Sequence, residues 1–497
     1  MPTEPSPMAE TAVELLEVAS SFDRADMFDF SMRLSFDQQS RRAPIRRETN
    51  IAQSGLTTGG YTSDLMDVAT YHESTQRLIP EINIGLFRDL ELSVRMPVIL
   101  ANNRRLEERN GSASQTAPTA GLVGEQLFSP DFESPTRSGI EYLAIGLDVG
   151  IMNQFRKPER PNWVLGVEGR FNVSEPMKAC TSAPKEGQVA CAHEADRNRN
   201  GEADPFVGSE WAELEGESEG AFSGSQSAGV SRGTTGLEGH AYVSKRLRYI
   251  EPYTGVSALF EFQGKDTAYG PFNLEGVLVN HPPFKGTVTA GVAVIPWEQV
   301  ERFRRLIVDF RLSGTYVSEG RDYSELFDAL GSSDAQSLRN PSFATYVPNI
   351  PDDPNNPADL REVAQAPSIV DPTGQRINFT GLTDIQQHGD YTLRTQLTWQ
   401  AGKYIKFDLG GAWRIIQEHF ITFDQACNPD VAQQVVRSGP CKINDTTAAE
   451  ASAGLVAYKT GGLPNPHHRK VLNDPGQRFK VETSHGLKAW VRANVLF

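Results

Sequence analysis

The four cysteines are the residues whose chemistry the sequence constrains most. They form two local pairs, Cys180 with Cys191 and Cys427 with Cys441, in polar segments rich in glycine and proline. Such close spacing predicts two loop-closing disulfides in an oxidising compartment. A zinc site is the alternative interpretation, but the spacings are wide for zinc and only His193 lies near the first pair.

A second stretch carries oxygen ligands at a spacing that suits calcium. Residues 196–204 read DRNRNGEAD, which looks like the first nine positions of an EF-hand loop, with Gly201 at the sharp turn. Position twelve is Val207 instead of the bidentate glutamate, and Arg197 and Arg199 add positive charge. The stretch is therefore interpreted either as a calcium-binding loop or as a polar surface loop. No other cofactor is expected. The candidate ligands are Asp196, Asn198, Asn200 and Asp204.

No set of side chains points to catalysis. His240 is predicted to lie close to Glu238, where a histidine beside a carboxylate is usually a satisfied hydrogen-bonding residue. No serine-nucleophile, His-Glu-x-x-His or phosphate-loop motif occurs in a fitting context. We therefore expect that the protein is not an enzyme. The remaining histidines considered are His72, His388, His467 and His468, in or near loops.

Alternating apolar and polar residues predict the strands that position these side chains. Met27–Phe36 reads MFDFSMRLSF, and its large apolar residues all fall on one face. His485–Phe497 alternates in the same way, with Trp490 as the one apolar residue on its polar face. Taken alone, the last stretch also suits an amphipathic edge strand of a soluble protein. The wide apolar face of the first stretch suits a lipid-facing wall better than a soluble core.

The same unit recurs in pairs, which gives about twelve strands. Short connections alternate with long ones, and a soluble domain rarely tolerates so many long connections. The paired strands are predicted at Ile82–Leu86 with Leu90–Val98, Tyr142–Ile151 with Trp163–Val173, Leu237–Ser244 with Ile250–Phe262, Thr287–Ile295 with Leu306–Val317, and Tyr391–Trp399 with Ile405–Ile416. The long loops are predicted at about 37–67, 102–139, 174–235, 263–285, 318–388 and 419–480.

This pattern, with a final strand that ends on Phe497, resembles the porin- and transporter-like β-barrels of the Gram-negative outer membrane. The resemblance implies an all-β, antiparallel, up-and-down transmembrane barrel over residues 27–497. It also implies short periplasmic turns, long extracellular loops and an integral outer-membrane location. The partners implied are outer-membrane lipid and lipopolysaccharide, and the barrel-assembly machinery that reads the closing strand.

Residues 1–26 are predicted to form a separate periplasmic segment. Glu10–Asp23 has apolar residues at helical spacing and predicts a short amphipathic helix, on the periplasmic side or in the mouth of the lumen. A solvated arm is the alternative. Met1–Pro7 shows no signal peptide, which an exported protein must have carried, so we expect a mature or trimmed form or a differently assigned start.

Composition excludes two classes. A formal net charge of -15 argues against nucleic-acid binding, because phosphates need a basic face. A membrane-spanning helix needs an apolar run of about eighteen residues, and the longest runs here are only a few residues long.

The polar face of each strand gives the predicted lumen. Its acids and bases nearly balance, whereas a selective pore would be biased to one sign. A barrel of a dozen strands encloses a narrow lumen that paired long side chains can fill. We expect these pairs to stiffen the wall. The predicted lumen-lining residues are Glu91, Arg95, Asp148, Glu168, Arg170, Glu238, His240, Glu261, Asp309, Arg311, Arg394, Asp408, Arg414, Lys488 and Arg492.

Two functions follow. The first is a channel or transporter for small solutes, whose lumen is partly closed by ion pairs and loops. The alternative is a sealed barrel whose disulfide-braced extracellular loops bind a surface partner or form part of an envelope-spanning complex.

Overall fold

A computed structural model gives the fold of the chain. The residues that it describes are 11–19, 21, 29–52, 61–109, 126–182, 188–191, 225–264, 267–270, 277–339, 379–425, 427–428, 463–465 and 467–496.

Within one sheet of seventeen strands in this part of the chain, twelve antiparallel strands form a barrel wall, because each contains a stretch in which apolar and polar residues alternate with period 2. They are β1 (Phe30–Ala52), β2 (Tyr61–Phe87), β3 (Leu90–Arg95), β4 (Leu143–Met152), β5 (Asn162–Phe171), β6 (Thr234–Ser244), β7 (Ile250–Gln263), β8 (Lys285–Gln299), β9 (Arg304–Val317), β10 (His388–Gln400), β11 (Ile405–Ile416) and β12 (Ser484–Leu496).

The sheet closes on itself. Each strand pairs with the next, and β1 also pairs with β12, so that Phe36 lies opposite Leu78 on one side and Val491 on the other. Closure leaves no free edge. The predicted all-β barrel of about twelve strands is confirmed.

The two faces of the wall differ as the alternation predicts. Large apolar side chains point outward, and Leu312 and Leu487 are 58% and 63% exposed. Exposed aromatic residues, among them Trp297, Trp399 and Tyr404, follow the end of the barrel where connections are short. An apolar band with an aromatic rim is the outer surface of a membrane barrel.

The two ends of the barrel are unequal. The end with the short connections, which we call the turn end, has the links 88–89, 153–161, 245–249, 300–303 and 401–404. The opposite end, the loop end, carries the long connections. Among the described residues, no helix is long and apolar enough to cross a membrane.

Several predicted loop boundaries are wrong. β1 and β2 stay paired up to Ala52 and Tyr61, so most of the predicted loop 37–67 is a long hairpin. Likewise, the strand Val98–Glu108 continues into the predicted loop 102–139 and pairs with β2. Each segment begins beyond the apolar band with residues that are polar on both faces, 37–42 and 102–105, which interrupts the alternation by which strands are recognised.

The predicted helix over residues 10–23 is also wrong. The described part of this segment contains a single 3-10 turn, Glu14–Leu16. Its hydrogen bonds go largely to the barrel wall, as described below, instead of along a helix.

The described parts of the long connections pack together at the loop end, and we call this unit the loop-end cap. Its centre is a buried apolar cluster that joins the β1–β2 hairpin to short helices in the later loops. The helices are Phe327–Gly331, Gln336–Arg339 and Lys470–Asn473. The main members of the cluster are Ile45, Val68, Leu106, Leu127, Phe128, Leu326, Leu330, Leu338, Leu472 and Phe479.

One predicted disulfide lies in this cap. Cys180 and Cys191 are bonded, with their Cα atoms 5.1 Å apart, and the prediction for this pair is confirmed. Cys441, of the second predicted pair, lies outside the described residues, and so do the calcium-ligand candidates Asp196, Asn198, Asn200 and Asp204. Within the described residues no group of three or more His, Cys, Asp or Glu side chains could hold a metal ion.

Candidate functional site

The inward side chains of the barrel surround a cavity of about 490 Å³. Charges of both signs line it. The bases come largely from β9 to β12 and β1, while most acids come from β2 to β6. Of the predicted lumen residues, those lining this cavity are Glu91, Arg95, Asp148, Glu168, Arg170, Glu238, His240, Arg311, Arg394, Lys488 and Arg492.

The other four predicted residues lie in polar contacts outside the cavity lining. Glu261 accepts from Lys285 at 3.2 Å, and Arg414 pairs with Asp390. Asp309 accepts a hydrogen bond of 2.8 Å from the Tyr253 hydroxyl. Asp408 lies opposite Arg492 in the register of β11 and β12, with 3.8 Å between their charged groups.

On the side of β3 to β6, several charged side chains of the wall pair with one another. Glu168 accepts from Arg95 and from Arg170, each at 2.7 Å, and Arg170 also contacts Glu238. The Nε2 atom of His240 lies 2.6 Å from a carboxylate oxygen of Asp148. Cross-strand pairs of this kind stabilise a sheet.

On the opposite side, the wall does not satisfy its charges alone. A segment that precedes β1 crosses the lumen close to the turn end, and we call residues 11–19 with Ser21 the lumen segment. Its first anchor is Glu251 of β7, which accepts from the Thr11 hydroxyl at 2.7 Å and from the Ala12 backbone N–H at 2.8 Å. Arg305 of β9 donates to the Thr11 carbonyl at 2.9 Å.

Apolar side chains then fix the 3-10 turn against the wall. Val13 and Leu16 are buried, at 0% and 5% exposure, among inward residues of β5, β7, β8 and β9. Full burial of a valine or leucine contributes about 1.5–3 kcal/mol. The wall residues of this cluster are Val164, Tyr253, Ala293, Ile295 and Ile307.

Two acids of the lumen segment meet the basic side of the lumen. Glu14 accepts a hydrogen bond of 2.9 Å from Arg394, contacts Arg492, and lies 3.8 Å from Arg33. Glu17 contacts Lys406 and lies 3.6 Å from Arg33. These pairs exclude most solvent, so their charges interact more strongly than surface pairs do.

The segment then reaches the far wall. The Ala19 backbone N–H donates to Glu91 of β3, and the Ser21 hydroxyl donates to the Gly85 carbonyl of β2 at 2.6 Å. The lumen segment thus touches strands on opposite sides of the barrel and obstructs the lumen at the turn end.

Sequence reasoning missed Glu14 and Glu17 as site residues. The lumen bases named from sequence nearly matched the lumen acids in number, so no unpaired charge indicated a partner outside the wall. The contacts join residues hundreds of positions apart in the chain, such as Glu14 and Arg492. Local sequence patterns cannot predict such contacts.

Buried charges also organise the loop-end cap. Arg137 forms two hydrogen bonds with Asp328, of 2.7 and 2.9 Å, with both side chains nearly fully buried. Burial raises the pKa of Asp384 and of Asp424. Burial, assisted by the stacked ring of His388, lowers the pKa of His419 to about 4.

Comparison of the sequence with protein-family models and with curated proteins gives no match. Among solved structures, the chain is similar to a Pseudomonas aeruginosa FadL homologue, with 7% identity, a TM-score of 0.31, and 95% of this chain and 91% of that chain covered. It is also similar to the Pseudomonas putida toluene transporter TodX, with 10% identity, a TM-score of 0.26, and coverage of 94% and 90%. A third similar structure is Pseudomonas putida OprB, with 7% identity, a TM-score of 0.24, and coverage of 95% and 94%.

Proposed function

We propose that this protein is an outer-membrane channel for small polar solutes, closed at rest by its own lumen segment. The observation that carries the proposal is the way in which the lumen is filled. Next to a cavity of about 490 Å³, the turn end is obstructed by a segment that is not part of the wall. The described part of that segment is held against the wall by noncovalent contacts alone, so it can move away from the wall without opening the closed sheet.

The apolar outer band supports a location in the outer membrane, with lipid and lipopolysaccharide around the wall. In that orientation the turn end faces the periplasm and the loop-end cap faces outward. We further propose that the assembly machinery reads β12, because its pairing with β1 closes the barrel.

The test is single-channel conductance of the refolded protein in a planar bilayer. We expect rare or brief openings for the unchanged chain. A variant that lacks residues 11–19 should give long, stable steps, because the pairing of β1 with β12 does not involve these residues. The variant Leu16→Asp should act in the same direction, since it places a carboxylate among buried apolar side chains.

A matched control is Leu247→Asp, which makes the same change at a residue that is 53% exposed on a short turn. It should leave the conductance of the unchanged chain as it is. Insertion is checked independently by heat-modifiable gel mobility. If the variant lacking residues 11–19 inserts but gives no steps, the channel proposal is wrong.

One observation favours the second candidate, a sealed barrel that acts through its loops. The loop-end cap has an apolar core of its own and a disulfide, so it offers an ordered outer surface on which a surface or envelope protein could dock. The same recordings decide between the two, since a sealed barrel stays silent without its lumen segment.

A further inference from the structure

We infer that the arginines around Glu14 form a binding site for the carboxylate of a small organic acid, and that Glu14 is the built-in occupant which such a solute displaces. The inference deepens the proposed channel function and rests on it for its physiological role. We call Arg33, Arg394 and Arg492 the arginine triad.

The triad converges on a single carboxylate. All three side chains lie within 4 Å of Glu14, and their exposure is only 11%, 22% and 14%. Guanidinium groups remain charged at any physiological pH and match carboxylate geometry. The side chain of Glu14 ends in a propionate-like group, so the occupant itself defines the chemistry that the site accepts.

Groups other than Glu14 orient the triad. Arg394 stacks on the Trp490 ring, with 4.4 Å from its guanidinium carbon to the ring centroid. Arg492 donates to the Ser35 hydroxyl at 2.8 Å, and Arg33 pairs with Glu81 at 3.0 Å. The arginines therefore keep their positions when Glu14 leaves, and a preorganised site loses little affinity to ordering.

The triad also has unused donors. Among the described residues, neither the Nε–H of Arg33 nor that of Arg394 has a hydrogen-bond partner, although both atoms are buried. Buried cations that lose their anion are costly, because desolvation is no longer offset by attraction. Departure of Glu14 therefore leaves a site that favours the entry of another anion.

Space for a ligand lies beside the triad. All three arginines line the cavity of about 490 Å³, which is in the range of small-molecule sites. A solute can thus place its carboxylate on the triad and the rest of the molecule in the cavity. Three acids across the cavity, Glu168, Glu238 and Asp148, are paired with Arg95, Arg170 and His240 instead of with the triad.

The inference is tested by isothermal titration calorimetry on the full chain in detergent. The probe is propionate in a chloride-free buffer of low ionic strength. Glu14→Gln keeps the shape of the side chain but removes its charge, so we expect this variant to bind propionate at least tenfold more tightly than the unchanged chain. In the Glu14→Gln background, Arg394→Gln should weaken binding at least tenfold, and Arg492→Gln provides an independent second variant.

Glu159→Gln is the control, because it makes the same charge change at an exposed residue of the turn 153–161 and should match the unchanged chain. Equal affinity of Glu14→Gln and the unchanged chain would overturn the inference. So would undiminished binding in both arginine variants, once gel mobility shows that they are folded. Equal affinity for inorganic phosphate would overturn the assignment to carboxylates. Calorimetry needs no conduction, so this result stands apart from the fate of the channel proposal.

Discussion

The buried pair of Arg137 and Asp328 is expected to anchor the loop-end cap. The two side chains are 1% and 3% exposed. Arg137 also donates to the backbone carbonyls of Lys178 and Ala228, at 3.1 and 3.3 Å. One guanidinium group thus joins the helix Phe327–Gly331 to two other segments of the chain.

We expect Arg137→Met to lower the free energy of local opening of this helix by about 3–5 kcal/mol, since it leaves the Asp328 charge buried without a partner. The two backbone carbonyls also lose their donor, and an unsatisfied buried group costs about 1–3 kcal/mol. The double variant Arg137→Met/Asp328→Leu should recover the part that belongs to the uncompensated charge, because both partners are then apolar.

Native-state hydrogen exchange of the peptide 326–332, read by mass spectrometry, measures this free energy. Arg105→Met serves as the control. Its pair with Glu107 is exposed, at 55% and 44%, and such pairs contribute roughly 0–1 kcal/mol. A loss below about 1 kcal/mol for Arg137→Met, or a double variant no more stable than the single one, would refute the reasoning.

Two further predictions concern the cap. Burial lowers the pKa of His419 to about 4, whereas in a locally opened loop it returns to its ordinary value near 6.5. As pH falls, the opened form therefore binds the proton first. The local stability is complete above pH ~6.5 and falls by up to about 3 kcal/mol as pH drops towards 4. His419→Phe should remove this dependence of local stability on pH, measured by hydrogen exchange of residues 417–423, and an unchanged dependence would contradict the prediction. Asp424 has the opposite pH dependence, but it is present in both proteins, so its effect cancels when the two are compared. Replacing Cys180 and Cys191 by alanine should lower local stability by roughly 2–3 kcal/mol in exchange of residues 188–191, because the bond closes a short loop. Gel mobility of the barrel should stay the same, and loss of barrel folding would contradict the assignment of this bond to the cap alone.

The strands of the wall could be predicted from the sequence because lipid-facing alternation is a local pattern. Residues such as Phe36 and Leu312 mark one face at every second position, whatever the rest of the chain does. The same rule fails beyond the apolar band. In β1, residues 37–42 are polar on both faces, yet pairing with β2 extends the strand to Ala52. Strand pairing there depends on the neighbouring strand β2, and the local sequence of β1 carries no information about β2.

From the sequence, the lumen residues could be predicted only as members of the polar face of each strand. Alternation placed Arg394 and Arg492 on the polar side of their strands, and both line the cavity. Their partner could not be predicted, since Glu14 lies in a segment whose pattern suggested an amphipathic helix. Helical spacing of Val13 and Leu16 reflected burial against the wall instead. Apolar periodicity shows that side chains are buried, but it does not show which surface covers them.

The segments at the two ends of the barrel are held by different balances of forces, and this difference bears on the proposed function. Charges and hydrogen bonds secure much of the lumen segment at the turn end, where Glu14 and Glu17 face bases of the wall. An apolar cluster around residues such as Leu330 and Phe479 holds the cap at the loop end. A charged solute can compete for an ion pair by offering the same chemistry, but it has no means of competing for apolar packing. For the proposed channel, we therefore expect a charged solute to loosen the ion-paired part of the lumen segment, around Glu14 and Glu17, whereas access through the loop end depends on the stability of the cap.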